Sequence, residues 1–202
     1  MLYYYPNRPT LLSPDSEFVK KMSDDKDIDA EIKKNGARLS LWKSSRDALK
    51  HPSFQNFLFW NRTKEILKYT PTEELLDELL SLNLPDNTHI DAELMHFQTK
   101  NIKHFIYIYD LYIFNGRQML EELQYRRESL HNIFRGKKFK HLEIAQTYKT
   151  DFYSLFKQVI VTEENEGLVM KNKKGKIVWN LNKSSDVDWQ TKIRKPSKKY
   201  EF

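Results

Sequence analysis

The sequence predicts an α+β fold: antiparallel sheets with flanking helices. Three observations carry it. Apolar residues alternate with polar ones on both sides of an Asn35-Gly36 turn, with Ile28, Ala30 and Ile32 before it and Leu39 and Leu41 after it. A second alternating stretch, Thr88 to His96, precedes an almost wholly aromatic and β-branched run, Phe105 to Phe114. Between and after these strands stand segments with helical spacing of leucines.

Taken in order, residues 1–27 read as an extended arm followed by a short helix. Pro6, Pro9 and Pro14 forbid an early helix, and Ser16 to Met22 can form a turn or two. Tyr3, Tyr4 and Tyr5 have the chemistry to stack on bases, but anchoring the arm to the core is the plainer reading. Asn35-Gly36 predicts a type I′ hairpin, which needs positive φ at both central residues. That turn would hold Lys33 on rigid backbone beside a sharp bend. A polar connection, Lys43 to Ser53, leads to a strand at Phe57–Trp60, a turn at Asn61–Lys64 and a return at Ile66–Leu67. The next helix is expected to begin with Thr70 as its cap, Pro71 in first position and Glu73 closing a capping box. Its buried face would be Leu75, Leu76, Leu79 and Leu80.

Along Thr88–His96, Ile90, Ala92 and Leu94 face one way and Asp91, Glu93 and Met95 the other. Two carboxylates on one strand face make either a ligand set or a solvated edge. Asp110, in the middle of the aromatic strand, requires a partner, because a buried carboxylate costs free energy unless paired. Asn115-Gly116 ends that strand. Helices are expected over 118–134, with Leu120, Leu123, Leu130, Ile133 and Phe134 inward, and over 141–157. Strands are expected at Val159–Val161, Gly167–Lys171, Ile177–Trp179 and Trp189–Arg194.

The 202 residues suit one large domain, with 1–27 as an N-terminal arm, and suffice to bury a core. The absence of cysteine removes disulfides, thiolate-bound zinc and thiol nucleophiles, and suits a cytosolic protein. No run approaches a membrane span, in keeping with a mean hydropathy of -0.75, and the start lacks a signal peptide. The net charge of +6 is concentrated toward the end, where Lys192, Arg194, Lys195, Lys198 and Lys199 cluster. Such a basic segment suits a polyanion. The common phosphate-binding glycine loops, the nucleophile elbow of serine hydrolases and the zincin helix motif are all absent.

Glu166-Gly-Leu-Val-Met-Lys171 is the second informative cluster. Together with Lys33-Lys-Asn-Gly36, Asp91-Ala-Glu93, Tyr109-Asp110 and Lys192-Ile-Arg194, in that order, it resembles the covalent nucleotidyltransferases: ATP-dependent DNA ligases, RNA ligases and mRNA capping enzymes. Arg126-Arg127 is similar to the arginine-rich segment of DNA ligases. The resemblance, over about residues 28 to 195, implies an ATP-grasp-like nucleotidyltransferase (adenylation) domain. It implies that Lys33 attacks the α-phosphate of ATP, releases pyrophosphate and holds AMP through a phosphoramide. A neutral amine is needed, which nearby cations and desolvation favour. Glu31, Ile32, Arg38, Glu93, Tyr109, Lys171, Lys192 and Arg194 would form the ATP site, with Tyr109 on adenine. Glu166, and Glu93 if not on the ribose, would hold Mg²⁺ or Mn²⁺. Arg62, Arg126, Arg127, Lys195, Lys198 and Lys199 would meet nucleic acid, and Arg38 and Arg62 the ribose or a 5′-phosphate.

The implied activity is an ATP-dependent polynucleotide ligase, DNA preferred, joining 5′-phosphate and 3′-hydroxyl ends. The resemblance also covers an RNA ligase and a capping guanylyltransferase; outside those activities lies a degenerate nucleic-acid-binding module. The expected setting is the cytoplasm of a bacterial or phage-infected cell. The chain would act as a monomer, and an accessory protein could replace the oligonucleotide-binding (OB) domain that does not follow the last motif. Departures are Asn35 where DNA ligases carry Asp, Ala92 for Gly, one extra residue between Trp189 and Lys192, and Arg194 for Lys.

Overall fold

A computed structural model of the chain describes residues 3–44 and 56–196. Most of the expected polar connection 43–53, together with Lys198 and Lys199, lies outside the described residues. The fold is α+β, built on two sheets. The first has the order β1-β11-β10-β2-β9, from β1 (Arg8–Leu11), β2 (Ile28–Lys34), β9 (Thr147–Tyr148), β10 (Asn165–Asn172) and β11 (Asp186–Arg194). The second has the order β4-β3-β5-β6-β7, from β3 (Ala37–Lys43), β4 (Phe57–Trp60), β5 (Thr88–Met95), β6 (Phe105–Phe114) and β7 (Arg117–Gln118), with β8 (Leu142–Ile144) parallel to β6.

Alternation sets which face is which. On the first sheet, Ile28, Ala30, Leu168, Met170 and Ile193 form an outer apolar face with Ile32 packed against it. Helices α1 (Glu17–Asp24) and α4 (Phe152–Val159) cover it with Val19, Phe152, Leu155, Phe156 and Val159. The intervening residues of β2, β10 and β11 therefore face the other way. On the second sheet, Leu39, Leu41, Ile90, Ala92, Leu94, Ile106 and Ile108 pack with α2 (Glu73–Ser81) and α3 (Leu123–Phe134). Ala92, the departure from glycine, thus places its methyl in the core. The polar sides of both sheets face a common cleft.

The Asn35-Gly36 hairpin does not form. β2 pairs with β10 and β9, and β3 pairs with β4 and β5, so the chain crosses here from one sheet to the other. Neither residue has positive φ. Glycine is required for a different reason: a Cβ on Gly36 would lie 2.6 Å from Cγ of Glu93 and 2.7 Å from the Leu94 carbonyl oxygen. The crossover is pinned by Asn35, whose backbone N–H donates to Glu164 O (2.8 Å) and whose side-chain amide donates to Glu163 O (3.1 Å). The true Asn-Gly hairpin is Asn115-Gly116, with φ of 51° and 75°, joining β6 to β7.

That hairpin also explains why α3 starts later than its leucines suggest. Arg117 and Gln118 are drawn into pairing with β6, and Leu120 is left exposed at 62%. Thr72, not Thr70, caps α2, its hydroxyl accepting from Leu75 N–H at 3.3 Å, so Pro71 precedes the cap. Leu80 lies toward solvent. The segment 141–157 is not one helix. The edge of β6 captures Leu142–Ile144, β9 joins β2, and only then does Asp151 cap α4 through Tyr153 and Ser154 N–H groups. Leu142 and Ala145 fit either period, and the open strand edge decides. Val159 closes α4 rather than opening a strand, and Val161 is exposed. Residues 177–179 form no strand; Asn7 holds Val178 by two hydrogen bonds, 2.7 Å to its carbonyl and 2.9 Å from its N–H.

The arm is anchored as its tyrosines suggest. Tyr3 is buried, with its hydroxyl donating to Asn61 O at 2.7 Å and lying 3.1 Å from Ser40 Oγ. The arm then crosses to the first sheet, where β1 runs parallel to β11.

Candidate active site

Between the sheets lies a cleft of about 640 Å³. Its walls include Glu31 and Lys33 from β2, Val169 and Lys171 from β10, and Gln190, Lys192 and Arg194 from β11. Arg38, Glu93 and Tyr109 face them from the second sheet. Strand register does this work. Gly167 pairs with both Lys33 and Arg194, and Val169 with both Glu31 and Lys192, so residues far apart in sequence form adjacent rows. β11 is irregular against β1, where the partners of Pro9 and Thr10 jump from Val187 to Thr191. Its pairing with β10 is continuous, so the extra residue before Lys192 does not turn Lys192 or Arg194 from the cleft.

Lys33 Nζ donates to Glu166 Oε2, and the other carboxylate oxygen of Glu166 lies 3.7 Å from Arg194 Nη2. Burial pushes the Glu93 carboxyl up to about 7, against the pull of Lys33 and Arg38, and Glu166 adds to the rise. Burial also lowers the Lys192 ammonium, assisted by Lys33 and Arg194. Here is a lysine on a rigid strand, among cations and beside two carboxylates. That grouping suits a nucleophilic amine acting on an anionic, phosphorylated substrate.

At the cleft floor, Glu31 is buried and ion-paired to Lys171 (2.7 Å) and to Arg127. Burial lowers the Lys171 ammonium, opposed by Glu31. Tyr109 stands beside them, with the Lys171 ammonium 5.3 Å and the Arg38 guanidinium 5.5 Å from its ring centre. Arg38 makes a two-pronged contact with Asp91. Asp91 therefore acts as the holder of Arg38, and is neither a free ligand nor a solvated edge.

Two expectations change. Arg126 does not face nucleic acid: its side chain is fully buried, donating to both oxygens of Asp110 at 2.8 and 2.7 Å and to Gly175 O at 3.0 Å. It is the partner Asp110 needed. Arg127 is turned inward as well, its guanidinium between Glu31 and Asp29, so it is not a surface contact either. Ile32 sends its side chain into the outer cluster, so its expected part in the ATP site falls to its backbone. Arg62 is exposed on the cleft rim, and Lys195 is tied by its ammonium to Thr162 O at 3.1 Å. Sequence reasoning missed the arm: Pro6, Asn7, Arg8 and Pro9 line the cleft, with Arg8 paired to Asp186 at 3.1 Å. No local signal marks them, since their place depends on pairing with a strand nearly the whole chain away.

A divalent ion fits Glu166 and Glu93. Both line the cleft, and the charge of Glu166 adds to the rise of the Glu93 carboxyl, as a neighbouring carboxylate does. Among the described residues no cluster of three or more His, Cys, Asp or Glu is present. One or two carboxylates with substrate phosphate is the usual arrangement for Mg²⁺. No helix among the described residues is long and apolar enough to cross a membrane.

Comparison with solved structures gives the same fold. The ligase domain of M. tuberculosis LigD aligns with a TM-score of 0.64 at 15% identity, covering 95% of this chain and 59% of that one. A Lig E DNA ligase, described as binding DNA with a minimal scaffold, aligns at 0.57 and 12% identity, covering 93% and 69%. The ATP-dependent DNA ligase of bacteriophage T7, in complex with ATP, aligns at 0.51 and 15% identity, covering 93% and 68%. This chain thus spans about three fifths to two thirds of their lengths. No curated protein sequence matches it. The sequence model of the ATP dependent DNA ligase domain, however, matches residues 85–192, more than half the chain, and the chain belongs to that family.

Proposed function

We propose that this chain is the adenylation domain of an ATP-dependent DNA ligase, with Lys33 as the nucleophile. The observation that carries the reading is the row Lys33–Gly167–Arg194, which sets a strand-borne amine against Glu166 and beside Lys192 at the wall of a cleft sized for a nucleotide. Tyr109 offers the face for adenine, and Glu31 and Lys171 the polar edge beside it. Arg38, fixed by Asp91 in the cleft wall, would meet the ribose and phosphates.

The chemistry balances as two phosphoryl exchanges and a sealing step. Lys33 Nζ gives up its proton and attacks the α-phosphorus of ATP; the P–N bond forms as the bond to the β-phosphate oxygen breaks and pyrophosphate leaves. Lys192 and Arg194 neutralise the charge that gathers on those oxygens. A 5′-phosphate oxygen of the polynucleotide then displaces Lys33 from phosphorus. A 3′-hydroxyl attacks the resulting 5′-phosphate, and AMP departs. A divalent ion held by Glu166 and Glu93 would supply Lewis-acid polarisation of the phosphate oxygens. In the state described, Glu166 holds the Lys33 ammonium, so that contact must open before attack.

The test is to incubate the full chain with ATP and Mg²⁺ and weigh the intact protein. The wild type is expected to gain one AMP, and Lys33→Ala to gain none while remaining folded. An AMP adduct on Lys33→Ala places the nucleophile elsewhere. Nicked DNA and nicked RNA, each bearing a 5′-phosphate, offered to the labelled protein, decide the substrate.

A further inference from the structure

Arg127 belongs to the arginine-rich segment and not to the motifs whose side chains line the cleft, and its helix lies behind the second sheet. Its guanidinium nevertheless ends at the cleft floor. One nitrogen donates to Glu31 Oε1, and another lies 3.7 Å from Asp29 Oδ2. The second oxygen of Glu31 is held from the opposite side by Lys171 Nζ at 2.7 Å. Glu31 is thus clamped at both oxygens, one by α3 and one by β10, while still lining the cleft next to Tyr109. A carboxylate fixed between two cations stays an acceptor, with no proton to donate. What meets it must be a donor.

The geometry points to Arg127 as a positioning residue for base recognition: it fixes the rotamer of Glu31, so that the carboxylate accepts a hydrogen bond from the exocyclic 6-amine of a purine lying on Tyr109. This rests on the proposed seating of an adenine nucleotide in the cleft, but it concerns selectivity, not phosphoryl transfer. Lys171 alone cannot do the same. It approaches a single oxygen and leaves the other free to pivot, whereas Arg127, its planar fork divided between Asp29 and Glu31, takes that other oxygen and fixes the carboxylate at a second point. Asp29 keeps Lys173 at 3.3 Å when Arg127 is replaced, and Glu31 keeps Lys171, so no buried carboxylate is left without a cation.

The probe is a pair of nucleotides differing only in that amine: ATP and purine riboside 5′-triphosphate. Their binding to the full chain is measured by calorimetry without metal, and AMP capture is measured separately by mass. The wild type is expected to prefer ATP by roughly 10- to 100-fold, the range of one charge-assisted hydrogen bond. Arg127→Gln should bring the preference to within about threefold, and Arg127→Lys should fall between. Glu31→Gln should lose it as well. An Arg127 with a merely structural role would weaken both nucleotides in parallel and leave the ratio at its wild-type value, which overturns the inference. A wild type that binds both equally yet captures AMP also overturns it and leaves the ligase reading standing. A wild type that binds neither overturns both. Should Arg127→Gln fail to fold by circular dichroism, the ratio in Arg127→Lys decides: an unchanged preference there sinks the proposal.

Discussion

The chain contains Asn-Gly twice, and the two copies do opposite things. At Asn115-Gly116 both residues take positive φ and the strand folds back on its neighbour, as the dipeptide predicts. At Asn35-Gly36 the chain turns from one sheet onto the other, neither residue has positive φ, and β2 and β3 never pair. The dipeptide permits a hairpin but does not impose one. Around the second copy there is space, with only Asn87 Cβ at 3.9 Å from a built Gly116 Cβ. Around the first, β5 presses close, and glycine serves backbone approach instead of backbone handedness. The functional consequence follows directly. A hairpin at residue 35 would have paired Lys33 with β3; the crossover frees β2 to pair with β10 and brings Lys33 opposite Gly167, next to Glu166.

Adding one methyl group at each glycine sharpens the contrast. Gly36→Ala is expected to cost about 3 kcal/mol, because the new Cβ overlaps side-chain and backbone atoms of β5 together. It should also slow AMP capture, since Glu93 and the end of β2 must move. Urea unfolding followed by the mass assay measures both. Normal stability in this variant would show that the crossover can relax, and that close approach is not what calls for glycine.

Much of the fold was legible because it is encoded locally. Strands Phe57–Trp60 and Phe105–Phe114 fall where their composition puts them, and the Ile28/Ala30/Ile32 and Ile90/Ala92/Leu94 faces are the ones that join the apolar clusters. What was not legible depends on distant partners. Residues 142–148 carry a pattern compatible with helix, and the edges of β6 and β2 pull them into strands. Arg126 and Arg127 carry the type of a polynucleotide contact, and Asp110, Glu31 and Asp29 turn them inward. The spacing of Lys33, Glu93, Glu166, Lys192 and Arg194 has no meaning along the chain. It is the order of motifs that pointed to one site, and the register of β2, β10 and β11 that assembles most of it.

The smaller counterpart of the first substitution is Gly116→Ala. There the penalty is conformational, about 1 kcal/mol for holding a side chain at φ 75°, with no clash. Adenylation should be unaffected, since Gly116 does not line the cleft. An effect as large as that of Gly36→Ala, in the same urea titration, would erase the distinction between the two turns.

The smallest effect separates the asparagines. Asp and Asn both tolerate the left-handed region, so Asn115→Asp should change stability by less than about 0.5 kcal/mol at any pH where the fold persists. Asn35→Asp differs, because the Asn35 amide donates to the Glu163 carbonyl at 3.1 Å. An ionised aspartate has no proton to donate and points a negative oxygen at that carbonyl. A protonated one can donate in place of the amide. Its pKa should therefore be raised in the folded state above the ordinary aspartate value of about 3.9. A carboxyl raised on folding favours the folded state below its unfolded pKa, and that advantage disappears as pH climbs through the folded pKa. Asn35→Asp should match the wild type near pH 3.5 and fall behind it by about 1 kcal/mol at pH 7, the size of one lost hydrogen bond. Urea midpoints of both proteins at the two pH values measure the difference. A constant gap at both would mean that the side-chain bond to Glu163 contributes nothing, and that the backbone N–H to Glu164 alone pins the crossover.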